Sequence, residues 1–395
     1  MEKAYKFRLY PTKEQEILLQ KTFGCCRFVF NRYLAMRIAA YKADKSTLNY
    51  HSCSADLTVI KKELAWLGEV DATSLQSSLK DLDFAYQNFF RRVKKSEKPG
   101  FPQFKSKHSH RKSFKSKRVG NNIAVSVDCV KLPKLGLVPA VVSRQVQGRI
   151  LSATVSQNPS GKYFVSLCCT DVDIEQIPPT GELIGLDVGL KEFRVTSDER
   201  HFENHKHLAN SHKKLVRLQR KLSRKPKGSK NRIKTRIKIA RLHERVANQR
   251  NDVLHKLSTE LVRNYDVICA ETLSPKNMAQ NSRLAKSISD ASWGEFVRQL
   301  SYKCQWQHKA LVFVDRFYPS SQLCSECGYQ NKEVKNLKIR QWTCSECGAV
   351  HDRDVNAARN ILKEGLRLIS VAVPQDMRED KPVGEHVRLD LASNA

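Results

Sequence analysis

Long apolar runs are absent from this 395-residue sequence. A membrane-spanning helix needs about 20 consecutive apolar residues, and no stretch of the chain approaches that length. Residues 1–6 read Met-Glu-Lys-Ala-Tyr-Lys and do not begin a secretory signal peptide. Together these absences predict a soluble, intracellular protein.

Acidic residues are few relative to basic ones. The chain has 40 Asp and Glu against 70 Lys and Arg, for a formal net charge of +30. A charge this large needs a polyanionic partner, and nucleic acid is the most common one. An anionic membrane surface is the alternative, which the missing membrane helix disfavours. Hydrophobic residues make up 40% of the chain, as in globular proteins, and its length allows two or three domains.

Disulfide bonds are not expected, although the sequence has 12 cysteines, because the interior of a cell keeps thiols reduced. Eight of these cysteines, for example Cys25, Cys26, Cys168 and Cys169, are interpreted as small apolar residues. The other four differ, because their spacing is that of a metal site.

Two Cys-Ser-Glu-Cys-Gly phrases supply this spacing, with Cys324 and Cys327 in the first and Cys344 and Cys347 in the second. Sixteen residues separate the two pairs, and the glycine after each second cysteine allows a tight turn. Four thiolates occupy the corners of a tetrahedron and leave no open position on the metal, which predicts one structural Zn²⁺. A redox-active dithiol is the alternative.

The N-terminal region begins with one predicted strand and one predicted helix. Residues 3–10 alternate apolar and basic positions, as in a strand with one wet, positive face, and Pro11 ends it. Thr12 and Gln15 form a capping-box pattern, and helical periodicity continues to about Lys42.

Two further helices are predicted, one over about residues 54–66 and one that begins after Asp71. The second has apolar residues at helical spacing, which predicts a stripe buried in a helical bundle: Leu75, Leu79, Leu82, Tyr86, Phe89 and Val93. Residues 94–117 are basic and are broken by Pro99 and Pro102, so we interpret them as a linker.

A β-rich segment comes next. Residues 123–130, 149–157 and 162–170 alternate apolar and polar positions, and Asn158–Gly161 is a hairpin turn between the last two. The strand over residues 3–10 has no partner near it in sequence. We therefore expect it to join this later sheet, with the helices inserted between.

Residues 213–250 are the most basic stretch, with 16 Lys or Arg and a single acid, Glu244. Apolar spacing predicts two helices with a break at 226–229, the second continuing to about Asn264. Charge this one-sided repels itself, which favours contact with a nucleic-acid backbone over a solvated helical face. The candidate contacts are Lys213, Lys214, Arg217, Arg220, Lys221, Arg224, Arg232 and Arg236.

Three carboxylates stand in apolar surroundings far apart in the sequence. Asp187 lies in the run 183–190 and Glu271 in the run 266–273, and both runs are typical of buried strands. Asp354 shares one face of a later helix with small residues, which would let that helix pack closely on a sheet. A carboxylate in an apolar run is costly unless it is paired or holds a metal, so we expect the three to meet.

Three converging carboxylates suit the metal-dependent hydrolysis of a phosphodiester. Two Mg²⁺ or Mn²⁺ ions about 3.5–4 Å apart can activate a water molecule and stabilise the departing alkoxide. Hard cations prefer oxygen ligands. We therefore expect Asp187 to bridge the two ions, and Glu271 and Asp354 each to complete one of them.

These motifs resemble the TnpB (OrfB) proteins of bacterial transposons, which are relatives of the type V CRISPR effector nucleases. The resemblance rests on Asp187 in IGLDVGL, Glu271 in ICAETL, the paired CSECG phrases and Asp354 in DRDVNAARNI, and it covers most of the chain, from KFRLYPT through GFPQFKSK and KLPKLG. It implies an RNA-guided double-stranded DNA endonuclease of the prokaryotic cytoplasm. A guide RNA from the transposon end would pair with target DNA, and the protein would read a short target-adjacent motif.

The fold implied by the resemblance is α/β with an added β-barrel and helical lobe. A RuvC-like nuclease domain of RNase H fold would carry the three acids and an inserted zinc ribbon. The implied boundaries are a wedge-type barrel in two parts (1–30 and 119–180), a helical recognition lobe (31–118), the RuvC-like domain with the basic helical hairpin (181–318), the zinc ribbon (319–350), the last RuvC-like helix (351–370) and a disordered tail (371–395).

The resemblance also suggests that barrel and lobe together read the adjacent motif. Tyr50, Gln76, Asn121 and Asn122 are the candidates, since Asn and Gln suit base edges and Tyr suits stacking or phosphate contact. Two other functions would use the same residues, a DNA strand-transfer transposase and a non-cutting nucleic-acid-binding regulator. The intact set of three acids disfavours the regulator. The transposase remains an alternative, because it would use the same acids and metals.

Overall fold

The computed structural model describes residues 1–109 and 112–372. The predicted disordered tail therefore lies outside the described residues, except for residues 371 and 372, which end a helix. The chain divides into two compact units, one of residues 1–174 with 218–244 and the other of 175–217 with 245 onward. Within the described ranges, no helix is long and apolar enough to cross a membrane.

The first unit contains a seven-stranded antiparallel sheet. Its strands are β1 (Lys3–Leu9), β2 (Lys112–Lys117), β3 (Ala124–Val125), β4 (Cys129–Leu132), β5 (Gly136–Val141), β6 (Arg149–Gln157) and β7 (Tyr163–Thr170), in the order β2-β6-β7-β1-β5-β4-β3. β1 pairs with β7 and β5, so the prediction that the first strand joins the later sheet is confirmed. Because β2 and β3 stand at the two ends of this order, a closed barrel stays a prediction.

Three helices stand between β1 and β2: α1 (Lys13–Asp44), α2 (Tyr50–Glu63) and α3 (Ala72–Lys94), with a 3₁₀ turn at Ala65–Gly68. The predicted capping box of α1 is confirmed, because Thr12 and Gln15 each accept the backbone N–H of the other, at 3.0 and 3.3 Å. α2 begins earlier than predicted, since Asn49 and Ser52 form a capping box of their own.

Three details of the first unit were predicted wrongly. Residues 112–117 of the expected linker form the edge strand β2, which pairs with β6. The strand expected over 123–130 is divided into β3 and β4. The buried stripe of α3 ends at Leu82, because this 23-residue helix outruns the core that covers its first turns. Phe89 is only half-buried and Val93 is 49% exposed.

The second unit contains a mixed five-stranded sheet of order β10-β9-β8-β11-β12, with β8 (Leu183–Asp187), β9 (Glu192–Thr196), β10 (His201–Glu203), β11 (Val267–Glu271) and β12 (Ala310–Val314). β8, β9 and β10 are antiparallel, whereas β11 runs parallel to both β8 and β12. The helices are α4 (His207–Ser223), α5 (Lys230–Asn264), α6 (Pro275–Met278), α7 (Ala285–Ala291), α8 (Trp293–Trp306) and α9 (Arg353–Ala372). Residues 218–244 of α4 and α5 belong to the first unit.

Between β12 and α9 lies a short hairpin, β13 (Gln341–Thr343) with β14 (Val350–Asp352), and a 3₁₀ turn at Lys332–Lys335. α9 then packs on the five-stranded sheet at very close range. A Cβ atom built on Gly185 would lie only 2.0 Å from the carbonyl oxygen of Ala358. Only glycine fits at that point of β8, and small residues on α9 allow the approach, as predicted.

Candidate functional site

Asp187 and Glu271 are the last residues of two adjacent parallel strands. Leu186 of β8 stands opposite Ala270 of β11, so the two acids that follow occupy equivalent positions at the carboxyl ends of these strands. Equal positions on neighbouring strands point to the same face of a sheet. The parallel pairing of β8 with β11 therefore brings two acids that are far apart in sequence to one edge of the sheet.

Asp354 reaches the same edge from α9. The side chain of Asp352 caps the helix, accepting hydrogen bonds from the backbone N–H groups of Asp354 (2.9 Å) and Val355 (3.0 Å). Ala358, one turn after Asp354, touches Gly185, two residues before Asp187. Asp354 therefore lies near Asp187, and its negative charge acts on the Asp187 carboxyl.

The electrostatics of the site reflect this crowding of acids. Burial, followed by the negative charges of Asp354 and Glu271, raises the pKa of Asp187 to about 7. Burial also raises the pKa of Glu271. Asp354 is held by Arg340 of the β13 hairpin, whose guanidinium donates to its two oxygens at 3.1 and 3.3 Å. The carboxylates therefore lie within electrostatic reach of one another, and their role as metal ligands stays a prediction.

The donor set at this edge fits a hard divalent cation. Three carboxylates would supply oxygen ligands, and a cation would offset both the burial that raises the pKa of Asp187 and Glu271 and the repulsion that adds to it at Asp187. Among the described residues, the four cysteines form a group of ligand atoms within 4.8 Å of one another, and the three acids do not. Asp354 is paired instead with the guanidinium of Arg340, at 3.1 Å.

The four cysteines form a site suited to zinc. Their sulfur atoms all lie within 4.8 Å of one another, with 3.6 Å between Cys324 and Cys347 and between Cys327 and Cys344. Tetrahedral zinc with Zn–S bonds of 2.3 Å places its sulfurs about 3.8 Å apart. Burial alone would raise the pKa of Cys344, but hydrogen bonds from backbone N–H groups and neighbouring thiols lower it to about 7, which favours the thiolate.

The zinc cluster is joined to α9 by two asparagines that sequence reasoning missed. Asn356 accepts the backbone N–H of Ser325 at 2.9 Å and donates to the carbonyl of Leu323 at 2.6 Å. Asn360 donates to the carbonyls of Ser320 and Leu323. Both asparagines are buried, and both stand in the DRDVNAARNI motif on the helix that carries Asp354. Their spacing of one helical turn was the available signal.

His351 is a second residue that sequence reasoning missed. Its Nε2 lies 3.0 Å from the sulfur of Cys324, and its ring packs 4.7 Å from that of Trp342, its register partner in the β13–β14 hairpin. The imidazole is buried. A neutral N–H beside a zinc-bound thiolate stabilises the negative charge of a four-thiolate site. Its place four residues after Cys347 could have suggested this contact.

His351→Ala is expected to lower zinc affinity about 10- to 100-fold, because it removes a hydrogen bond to a ligand sulfur. His351→Phe keeps a ring against Trp342 without the N–H, so it should lose zinc affinity to the same extent. Chelator competition measures both variants, with the exposed His243→Ala as the control. Wild-type affinity in His351→Phe would show that the ring acts only through packing.

Most of the predicted phosphate contacts lie on the surface of α4, α5 and the turn between them. Arg232 differs: its guanidinium donates to the carbonyls of Leu222 (2.6 Å) and Lys225 (2.9 Å), which closes the C-terminal end of α4. The single acid of the stretch, Glu244, is paired with Lys162 at 2.8 Å. The exposed candidates are Lys213, Lys214, Arg217, Arg220, Lys221, Arg224 and Arg236.

Arg217→Ala and Arg232→Ala are expected to separate phosphate contact from helix closure. Arg217→Ala should weaken RNA binding without changing the melting temperature. The slope of log K against log salt should also become less steep, by about 0.7–0.9, because one phosphate contact is lost. Arg232→Ala should instead destabilise the protein by about 1–3 kcal/mol, because two carbonyls lose their donor. Salt titrations and thermal unfolding measure the two effects. An unchanged slope in Arg217→Ala would argue against a phosphate contact there.

The four candidates for motif reading lie in different environments. Gln76 and Asn121 are exposed, and Tyr50 is half-buried with the Lys80 ammonium 5.2 Å from its ring. Asn122 is occupied within its own turn, where it accepts the N–H of Val119 at 2.9 Å and donates to the carbonyl of Lys117 at 3.1 Å. The exposed side-chain amides of Gln76 and Asn121 could therefore form hydrogen bonds with the edge of a base.

Two known proteins are similar to this chain over nearly its whole length, and a third is similar over less than half of it. A relative from Streptomyces pristinaespiralis, named "Putative RNA-guided DNA endonuclease", is 40% identical over 93% of this chain and 90% of its own length. The "Putative RNA-guided DNA endonuclease InsQ" of Escherichia coli K12 is 37% identical over 93% of both chains. The TnpB-like protein L79 of Acanthamoeba polyphaga mimivirus is 30% identical over 46% of this chain and 37% of its own. This chain belongs to the TnpB (OrfB) family.

Three family models match parts of this TnpB-family chain. Residues 166–282, which include Asp187 and Glu271, match the OrfB family described as "Probable transposase". Residues 293–361, which include the four cysteines and Asp354, match the Cas12f1-like TNB domain. Residues 1–46 match a helix-turn-helix domain, although here they contain β1 and a single long helix, α1.

A solved structure, the cryo-EM complex of Cas12f1 with sgRNA and target DNA, aligns with 92% of this chain and 99% of its own chain. The sequence identity is 18% and the TM-score is 0.35, which is too low to support a statement about the fold.

Proposed function

We propose that this TnpB-family chain is an RNA-guided, metal-dependent endonuclease that cleaves double-stranded DNA. The observation that carries the proposal is the convergence of Asp187, Glu271 and Asp354 at one edge of the five-stranded sheet. Relatives that align with nearly the whole chain are named for RNA-guided DNA cleavage. Such an enzyme would act in the prokaryotic cytoplasm, at the nucleoid when bound to DNA.

The sheet of the second unit supports a RuvC-like domain of RNase H fold. Three antiparallel strands are followed by two strands parallel to β8, and the acids stand at the carboxyl ends of β8 and β11, where open sheets of parallel strands bind ligands. The helices inserted between β1 and β2 support a wedge-type barrel interrupted by a recognition lobe. The first proposed boundary, at residues 30 and 31, would fall inside α1.

In this proposal the three acids hold two divalent cations, with Asp187 bridging and Glu271 and Asp354 each completing one position. Bound Mg²⁺ or Mn²⁺ would activate a water molecule and stabilise the leaving oxygen of the cleaved strand. The chain itself positions the acids through the β8–β11 register and the close packing of α9 at Gly185. The guanidinium of Arg340, which donates to both oxygens of Asp354, would compete with a cation for that carboxylate.

Zinc has a structural part in this proposal. The four cysteines leave no open coordination position, so substrate cannot reach the metal. Asp352 ends β14 and caps α9, and Asn356 and Asn360 hold the first cysteine knuckle against that helix. The zinc ribbon would therefore set the position of Asp354.

The deciding experiment is to sequence the RNA that purifies with the protein and then to challenge the complex with targets carrying randomised flanks. We expect a defined RNA whose 3′ segment directs cutting, next to one short flanking motif. Protein freed of RNA that cuts or joins transposon ends equally well would refute the proposal and favour a strand-transfer transposase.

A further inference from the structure

An exposed group of aromatic rings lies at the C-terminal end of α3. Tyr86, Phe89 and Phe90 of the helix and Phe101 of the following segment form this aromatic patch, with ring centroids 5.1–6.3 Å apart. Phe90 is 60% exposed and Phe101 is 43% exposed. Rings that contact each other and still face water mark an interaction surface rather than a core.

The segment that carries Phe101 is fixed to α1. Asn31 donates to the backbone carbonyl of Lys105 at 2.9 Å and accepts its backbone N–H at 2.7 Å. The ammonium of Lys105 lies 4.0 Å from the ring of Phe30. On the helix side, the guanidinium of Arg37 lies 4.9 Å from the ring of Tyr86. The patch is therefore held in place before any partner binds, which lowers the entropic cost of binding.

The residues next to the patch along the chain are mostly basic. Residues 91–107 contain seven Lys or Arg and one acid, Glu97. A docking surface for an apolar protein segment would not need this charge. Flat aromatic rings flanked by cations match single-stranded nucleic acid, whose bases stack on the rings while its phosphates meet the basic side chains.

We propose that the aromatic patch stacks unpaired bases of the guide RNA, an inference that rests on the proposed function. Guide RNA is favoured over a DNA strand because exposed apolar surface is best covered by a partner that stays bound. The guide is bound before a target arrives, whereas target strands come and go.

Affinity measurements on Phe90 variants test the stacking. Phe90→Ala should weaken RNA binding about tenfold, the usual effect of losing one stacked base. Its matched control is Phe84→Ala, because Phe84 is 58% exposed on the same helix and helical spacing puts it roughly 120–160° around the axis from Tyr86, Phe89 and Phe90. Its effect should stay under about twofold. Phe90→Trp should keep the affinity. The salt slope should not change in any of the three, because no phosphate contact is lost.

Photo-crosslinking identifies the occupant. With p-benzoylphenylalanine in place of Phe90, the purified complex should form adducts with its RNA before any DNA is added. Adducts only with a target DNA strand, or only with a second copy of the protein, would overturn the proposal.

The two proposals fail in different ways. If the wild-type complex performs guided cutting while Phe90→Ala and Phe84→Ala bind RNA equally, the patch proposal is wrong and the proposed function stands. If the wild-type protein purifies without a defined RNA, the proposed function is wrong and the patch proposal falls with it.

Discussion

Asp187→Asn is expected to abolish DNA cleavage by the guided complex, with a rate loss of at least about 10³-fold, while RNA binding stays intact. The substitution keeps the size and shape of the side chain and removes the charge that would bridge two cations. Glu271→Ala and Asp354→Ala are expected to give the same result, since each would remove a ligand of one cation. Single-turnover cleavage with Mg²⁺ and an RNA-binding titration measure the two properties.

The control for this experiment is Asp252→Asn on α5. Asp252 is an exposed aspartate, and its surface ion pair with Lys256 at 2.8 Å is of a kind that contributes little. Cleavage should therefore stay at the wild-type rate in the control. Retained cutting by Asp187→Asn, Glu271→Ala or Asp354→Ala would contradict the assignment of the triad.

Asp187→Asn is also expected to stabilise the protein in the absence of Mg²⁺. Asp187 has a pKa of about 7 in the folded chain, against an ordinary value of 3.8. The folded state therefore binds this proton more tightly than the unfolded state does. Without Mg²⁺, the free energy of unfolding of the wild type should therefore rise by at most about 4 kcal/mol as the pH falls from above 7 toward 4.

Asp187→Asn should lose that part of the pH dependence and be more stable than the wild type at pH 8. Urea unfolding at pH 5.5 and pH 8, with zinc retained and no Mg²⁺ added, measures the effect. A variant less stable than the wild type at pH 8 would show that the carboxylate stabilises the fold instead of straining it.

Cys344→Ser is expected to release the zinc and to unfold the ribbon that surrounds it. A structural four-cysteine site in so small a module contributes on the order of 10 kcal/mol to its folding. Cys324, Val334, Trp342 and Cys344 form a small hydrophobic cluster of their own, which is too limited to hold without the metal. Because Asn356 and Asn360 bind the ribbon backbone, the loss should also displace the start of α9 and reduce cleavage.

Zinc content by mass spectrometry and protease sensitivity across residues 320–350 measure this effect. The matched control is Cys168→Ser, a half-buried cysteine of β7 outside the cluster, which should keep its zinc. A zinc content unchanged in Cys344→Ser would mean that other residues hold the metal.

Much of the local structure could be read from the chain because its signals are local. The capping box at Thr12 depends only on near neighbours, and the structure has it as predicted. The strand ending in Glu271 was likewise visible from its apolar run. Such features need no knowledge of what packs against them.

Other features depended on partners that are distant in sequence. β2 is a short basic strand whose pattern gives little apolar signal, and pairing with β6 alone makes it a strand. Phe89 and Val93 continue the helical spacing of a core stripe, yet Phe89 is only half-buried and Val93 is 49% exposed. The sequence does not distinguish Arg232 from the other cations of the basic stretch, but its guanidinium donates to the carbonyl of Leu222 near the end of α4.

By itself, the sequence determined the four-cysteine cluster and the presence of three acids in apolar elements, because cysteine spacing and hydrophobic periodicity are properties of the chain itself. Only the tertiary structure decided that Asp187 and Glu271 end neighbouring strands in register, and that Gly185 lets α9 bring Asp354 beside them. It also decided that His351 contacts the sulfur of Cys324 and that Phe90 and Phe101 of the aromatic patch stay exposed. These features depend on contacts between segments as far apart as Gly185 and Ala358. The backbone register and side-chain packing select such contacts, and no local pattern specifies them.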